Sequence, residues 1–468
     1  MMTVETGNQL GRSAGSTQES PQSNGVVNVS WLIDNAAFTW RHGLVVMLCA
    51  LVSLLDGADS QVIGIAARSI MGSLDIHAQA FGIVFSITHL GAALGALTIG
   101  SLGDRWGRKS TLLIALLILG VFSIATAWAD SLTSLTVLRF LAGIGIGGAT
   151  PCFLSMVSDY APLRRRGTLV AVAWSFFPLG GMLGGLLNSA MLARWGWQSV
   201  FLVGGGIPIC IALVLFVLVP ETVQHLAAKG AAPSLIRARL KWLGISVPPS
   251  VERFVCDERK RRHGSIREVF GDHRKASTFV LWAILAVSFA TLSLVVTWTP
   301  ILIHDKGIGD RAVPAILAGF NAGCFVGMGA AGYLVDRFGP LRTLFVPFIL
   351  AACAVASLPA AGSVAGAAAA ATVLGLTCGM GCAGAIAVMT LLYPIDIRAT
   401  GIGFGMASTR TGQVVAPLVI SLLISSGFGS EHLFFAMAMF PASAALFVVV
   451  FCLIDRKRVI HANASALA

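Results

Sequence analysis

Two carboxylates, Asp56 and Asp59, stand inside the run Leu54-Leu-Asp-Gly-Ala-Asp-Ser-Gln-Val-Ile-Gly64, which is flanked on both sides by enough apolar sequence to cross a bilayer. A carboxylate at mid-membrane costs on the order of 3 kcal/mol by insertion scales, so such residues face a bundle interior or a wet cavity and mark function by default. Three positions apart, they share one helix face, and a proton on either relieves the repulsion between them. That is the chemistry of a proton-coupling site. The competing reading is that both pair with arginines and fix helix packing.

Two cations also lie within spans. Arg139 opens Arg139-Phe-Leu-Ala-Gly-Ile-Gly-Ile-Gly-Gly148, and a guanidinium at that depth requires a partner; Asp56, Asp59 and an anionic substrate are all candidates. Arg410 lies in a span otherwise free of charge. It suits a substrate carboxylate, which a guanidinium grips through two parallel hydrogen bonds, or it neutralises a buried carboxylate of the other half. Trp298, Asn321 and Gln413 are candidates to line a cavity, the indole by stacking on an aromatic ligand. Trp298 also fits an anchor at the membrane interface. His89 reads as a proton relay or as a hydrogen-bonded packing residue.

These groups must be carried by membrane helices. The 468 residues are 56% hydrophobic and only 11% charged, with a mean hydropathy of +0.84. Continuous apolar runs exclude a β-barrel, and the 52 glycines suit tightly packed helices. Twelve spans are expected, at about 43–66, 80–102, 110–129, 132–158, 167–192, 199–219, 277–303, 313–335, 343–361, 364–392, 400–425 and 432–454. Ahead of them, residues 1–42 form an N-terminal tail, which from Met1 to about Asn28 reads as disordered. A connector at 220–276, with twelve Lys and Arg residues, divides two six-helix bundles, 43–219 and 277–454, and 455–468 form a C-terminal tail.

The halves repeat each other. Gly332-Tyr-Leu-Val-Asp336-Arg337-Phe-Gly339 matches Gly100-Ser-Leu-Gly-Asp104-Arg105-Trp-Gly107 at an offset of 232, and Tyr393 through Arg398 echo Tyr160 through Arg165 at 233. Duplication of a six-helix unit is the parallel repeat of transporters that bind substrate between their halves. Placing alternate loops in the cytoplasm puts 26 of the 32 Lys and Arg residues there, with Arg68, Arg194, Lys306 and Arg311 on the other side and Arg139 and Arg410 inside spans. Both termini are then cytoplasmic.

The stretch Gly100–Lys109 resembles the signature between spans two and three of the major facilitator superfamily. Its glycines let two helix ends meet at a short turn, Asp104 can cap a neighbouring helix, and Arg105, Arg108 and Lys109 sit on the basic face. From 29 to 458 the chain is similar to that superfamily's aromatic acid:proton symporter family. The matching elements include Trp31-Leu-Ile-Asp34, Asp56-Gly-Ala-Asp59, Asp159-Tyr-Ala-Pro162, Phe177-Pro-Leu-Gly180, Pro220-Glu221 and Arg398-Ala-Thr-Gly401 with Arg410. Asp159 stands where that family usually has glutamate, Thr222 where serine is common, and Ala58 where a bulky residue is common.

The resemblance implies an all-α membrane protein with the major facilitator fold, importing a hydroxybenzoate- or benzoate-like acid with a proton by alternating access. It implies coupling through Asp56 and Asp59, and substrate contacts from Arg410, Arg139, Trp298, Asn321 and Gln413. A conformational latch would use Asp104, Arg105, Arg108, Lys109, Asp336, Arg337, Asp159 and Arg398. A monomer in a bacterial inner membrane is expected, with no cofactor beyond the coupling proton and no nucleic-acid partner. A non-aromatic acid as substrate, or export on the same fold, is the alternative.

An intramembrane metalloenzyme is disfavoured, because none of the nine histidines has another three or four positions away. Eight of the nine cysteines fall in apolar runs, where they read as reduced packing residues, and Cys256 stands in the basic connector. No metal is expected.

Overall fold

A computed structural model of the chain describes residues 26–248, 251, 253–255, 266–271, 274–304, 313–360, 363–393 and 395–467. Eleven helical stretches are long and apolar enough to cross a membrane, and one of them, Leu163–Leu218, is two helices meeting at Gly196. The result is the expected all-α architecture of twelve spans. β1 (Val26–Asn28) and α1 (Val29–Asp34) precede the first half, which is built from α2 (Trp40–Leu74), α3 (Ala78–Trp106), α4 (Arg108–Thr126), α5 (Leu132–Tyr160) and α6 (Arg166–Leu218). The connector carries α7 (Val223–Ala228), α8 (Pro233–Leu243), β2 (Arg253–Val255) and α9 (Ile266–Val269). The second half comprises α10 (Lys275–His304), α11 (Val313–Ser357), α12 (Val364–Leu392), α13 (Ile395–Ser425) and α14 (Ser430–Leu467).

The duplication is visible in the backbone. Gly107 (φ +102°) turns α3 into α4, and Gly339 (φ +77°), its counterpart in the second copy, breaks α11 into two spans. Gly196 (φ +75°) and Gly427 (φ +82°) do the same between the last two spans of each half. A positive φ is where glycine avoids the steric penalty of a Cβ, so the repeated glycines are the turns' requirement.

Small residues set how closely the helices approach. A Cβ added to Gly57 would lie 1.8 Å from the Phe177 carbonyl oxygen, and one added to Gly180 would lie 1.9 Å from that of Leu54. Helices α2 and α6 therefore touch backbone to backbone, which sets the axial position of the two aspartates. On the outside, Leu97, Phe216, Val217 and Leu422 are exposed, as a lipid-facing surface requires. Cys210 and Cys353 also face outward, whereas Cys49, Cys152, Cys324, Cys378 and Cys382 are buried packing residues.

Two features depart from the sequence-based expectations. The first span is longer than 43–66, because the apolar run continues as helix to Leu74 with polar residues tolerated near its end. Residues 26–28 pair in parallel with 253–255 of the connector, Val26 opposite Arg253. Val27, Val29 and Ile33 are buried with Ile236, Leu240 and Phe254, so this part of the N-terminal segment is structured and joins the connector in covering the base of the first half.

Candidate functional site

Asp59 is 7% exposed and pairs with the fully buried Arg139 of α5: Nη2 donates to Oδ2 at 2.7 Å and Nη1 to Oδ1 at 3.5 Å. Ser123 Oγ of α4 donates to the same carboxylate at 3.5 Å, and the guanidinium lies 5.6 Å from the Phe201 ring centre. This is a closed unit inside the first half. Both charges are desolvated, so each depends on the other, and breaking such a pair costs about 3–5 kcal/mol.

Asp56, one turn earlier and 8% exposed, has a different environment. Its Oδ2 accepts one hydrogen bond from Thr150 Oγ1 at 3.0 Å, and it faces Arg410 of α13 across the seam between the halves, within electrostatic range. Arg410 is half-buried, and its Nη1 donates to Gln413 Oε1 at 3.2 Å. The four groups sum to zero charge when both carboxylates are ionised. The partner of Arg139 that the sequence left open is Asp59, while Arg410 is within electrostatic range of Asp56 of the other half, with no ion pair between them among the described residues.

The seam is bridged at the end opposite the basic loops, beside a cavity of about 670 Å³ between α2, α6, α10 and α11 that Arg68, Leu186, Ile301 and Val313 help to line. Among the described residues, Arg68 Nη2 donates to Ile301 O at 3.2 Å, Ser421 Oγ donates to Gln79 O, and His89 Nε2 and Ser293 Oγ share a hydrogen bond of 3.0 Å at mid-depth. A Cβ on Gly64 would come within 2.8 Å of the Val296 carbonyl oxygen. Trp298 belongs to this seal. It is fully buried, edge-on to Phe85 with ring centres 5.5 Å apart, so it neither presents its face to a cavity nor anchors at a lipid interface. The large ring is used to fill the contact between α3 and α10. Asn321 and Gln413 are both buried, at 4% and 8% exposed; Asn321 lines a small cavity below the seal, and Gln413 supports Arg410.

The signature at the basic end is bound within the first half. Arg108 Nε lies 3.4 Å from Asp159 Oδ2. Glu221 holds the start of α4, accepting from the Lys109 N–H at 3.1 Å, the Ser110 N–H at 3.3 Å and Ser110 Oγ at 3.2 Å. The capping carboxylate seen at α4 thus comes from the end of the sixth span. Lys109 Nζ donates to Phe216 O, Arg105 is exposed, and in the second copy Arg337 bonds Tyr333 Oη at 2.7 Å. The side chains of Asp104, Asp336 and Arg398, and all of Cys256, lie outside the described residues.

A model of the Major Facilitator Superfamily matches residues 49–371 and 315–467, which together span both halves. The chain belongs to the major facilitator superfamily. Several of its relatives are named as transporters of aromatic acids. The chain is 31% identical to the gallate transporter of Pseudomonas putida, over 92% of this chain and 96% of that one. It is 30% identical to the 4-hydroxybenzoate transporter of the same species, over 92% and 94%, and 30% identical to the 3-(3-hydroxy-phenyl)propionate transporter of Escherichia coli, over 91% and 97%. In fold it is similar to a bacterial homologue of the lysosomal transporter Spinster in an inward-facing conformation (TM-score 0.71, 17% identity, 90% of this chain and 99% of that one). The E. coli xylose transporter gives a TM-score of 0.70 at 17% identity, over 88% and 98%. This major facilitator protein is a multi-pass membrane transporter.

Sequence reasoning missed Thr150, Ser123 and Gln61 and gave Glu221 no role. Gln61 was findable as a third polar residue beside the aspartates in one apolar span; the hydroxyls of Ser123 and Thr150 carry no pattern that separates them from helix-packing hydroxyls.

Proposed function

We propose that this chain imports a small aromatic carboxylate together with a proton, by alternating access. The observation that carries the reading is the balanced quartet of Asp56, Asp59, Arg139 and Arg410. An incoming carboxylate docking on Arg410 adds one negative charge to a desolvated site, and one proton restores neutrality. Burying uncompensated charge is strongly unfavourable, so substrate and proton enter as a unit. Asp59 is committed to Arg139, whose charge it must balance. Asp56 is held by a neutral hydroxyl and faces the arginine that would receive the substrate, which makes it the proton carrier. The names of the relatives support an aromatic acid, and the basic-residue asymmetry supports both termini in the cytoplasm of a bacterial inner membrane.

In proteoliposomes, counterflow of labelled 4-hydroxybenzoate should proceed without a gradient, and net accumulation should follow an imposed pH gradient. A monoanion entering with one proton is electroneutral, so voltage alone should drive nothing. Asp56→Asn should keep counterflow and lose accumulation. Failure of every aromatic acid to exchange would overturn the substrate class; accumulation by Asp56→Asn would move the proton elsewhere. In sealed cells, an impermeant thiol reagent should label a cysteine at Gly427 and spare one at Gly230, and the reverse would invert the topology.

A further inference from the structure

Gln61 lies two positions beyond Asp59 toward the sealed end. It is 1% exposed, and its Oε1 has no hydrogen-bond donor among the described residues. Facing it from the second half is Asn321, whose Nδ2 donates to Leu317 O at 2.7 Å. A Cβ built on Gly181 would lie 2.4 Å from Gln61 Nε2 and 2.4 Å from Asn321 Oδ1, so the two amide heads converge over one bare point of α6. Beside them, walled by Phe177, Val296 and Phe320, is a cavity of about 10 Å³. That is room for a single oxygen-sized group.

A buried acceptor without a donor is costly and calls for an explanation. The cavity is lined by Gln61, whose Nε2 is the end toward Asn321 while its Oε1 lies against Gly185, together with the second amide and aromatic walls. A hydroxyl both donates and accepts through one small atom, and it is the ring substituent that fits this space without bringing charge. Gln61 is five positions on from Asp56, about 7.5 Å along the helix axis. A ligand whose carboxylate meets Arg410 would have to extend toward the sealed end to bring a ring hydroxyl to Gln61.

We propose that Gln61 and Asn321 form a hydroxyl-reading pair that selects ring-hydroxylated acids over their unsubstituted parents, with Gly181 keeping open the space in which the amides meet. The proposal rests on the aromatic-acid reading above. Because Gln61 belongs to the first half and Asn321 to the second, the selected hydroxyl also bridges the two halves just beneath the seal.

The test is equilibrium binding of 4-hydroxybenzoate and of benzoate to the purified full-length protein. Wild type should prefer the hydroxylated acid by about tenfold, the worth of one well-made hydrogen bond. Gln61→Met, similar in length but without the amide, should bring that ratio close to one and leave benzoate affinity within about twofold. Gly181→Ala retains both amides but pushes their flexible ends apart, and it should erase the ratio as well. If both folded variants keep the wild-type ratio, or weaken the two acids equally, the cavity holds only a structural water and the pair is no selector. Should Gln61→Met not fold, Gly181→Ala decides alone by the same criterion. If wild type binds neither acid, the aromatic-acid reading falls, and the hydroxyl pair with it.

Discussion

At mid-depth the first half presents Asp56 and Asp59 on α2, where the second, at the offset of the repeat, presents Ser288 and Thr291 on α10. The hydroxyl of Ser288 donates to Ile284 O, and that of Thr291 to Val287 O at 2.9 Å, so both are satisfied by their own helix. The signature loops differ in the same sense. In the first, Glu221 and Asp159 hold Lys109, Ser110 and Arg108, whereas in the second Arg337 reaches only one turn along its own helix, to Tyr333, among the described residues. The counterpart of Glu221 at the same offset is Leu453. Among the described residues, duplication has kept the turns and the packing in both copies while the ion pairs lie in the first. The second half's charge at this depth, among the described residues, is Arg410, whose partner in its own half is the neutral Gln413.

The sharpest way to break this comparison is to exchange the acid for an amide on one side and the hydroxyl for a methyl on the other. Asp59→Asn strands the buried Arg139, with an expected loss of about 3–5 kcal/mol of stability and of all gradient-driven uptake. Thr291→Val should leave both close to wild type. Melting temperature and pH-driven accumulation measured on the two variants check this, and equal effects would mean that the asymmetry in charge carries no asymmetry in function.

Arg410→Lys tests the second half's contribution. It keeps the charge but cannot reproduce two parallel hydrogen bonds, so affinity for benzoate-type acids should fall about tenfold or more, taking roughly 1.5–3 kcal/mol for a charge-assisted bond. Unchanged affinity in direct binding would place the carboxylate on Arg139 and return the whole site to the first half.

The smallest effect belongs to the loops. Glu221→Ala removes a carboxylate from the N-terminal end of α4 and should destabilise by about 1 kcal/mol, in the range of a lost helix cap. Arg337→Ala should fall within about 0.5 kcal/mol of wild type, as exposed positions do. Thermal unfolding in detergent separates the two, and a larger loss for Arg337→Ala would show that the second loop is the one under tension.

Spans, halves and the repeat were legible because lipid imposes long apolar runs and duplication leaves a constant offset. Asp56, Asp59, Arg139 and Arg410 stood out for the same reason: a charge in such a run has no ordinary explanation. Partner choice was not legible. Arg139 and Asp59 are far apart in sequence, and only the crossing of α2 and α5 shows that Asp59, rather than Asp56, is within reach. Trp298 was not legible because an indole near a span end fits a cavity wall and an interface anchor equally in sequence, and its burial against Phe85 depends on how α3 meets α10. Gln61 was overshadowed by the charges beside it, although an amide in the same apolar span was itself a signal, and its oxygen without a donor is what the fold adds.

Strand β1 is separated from its partner β2 by the whole of the first half. A ribosome adding about 5–20 residues per second needs roughly 10–45 s to make that stretch, and by then every span of the first half has been synthesised ahead of the segment that completes its base. Val27, Val29 and Ile33 must wait through that interval for Leu240 and Phe254, so residues 26–33 are among the last parts of their own half to find their place. The first bundle is thus finished by the same connector that introduces the second, and assembly of the two copies is linked in time as well as in sequence.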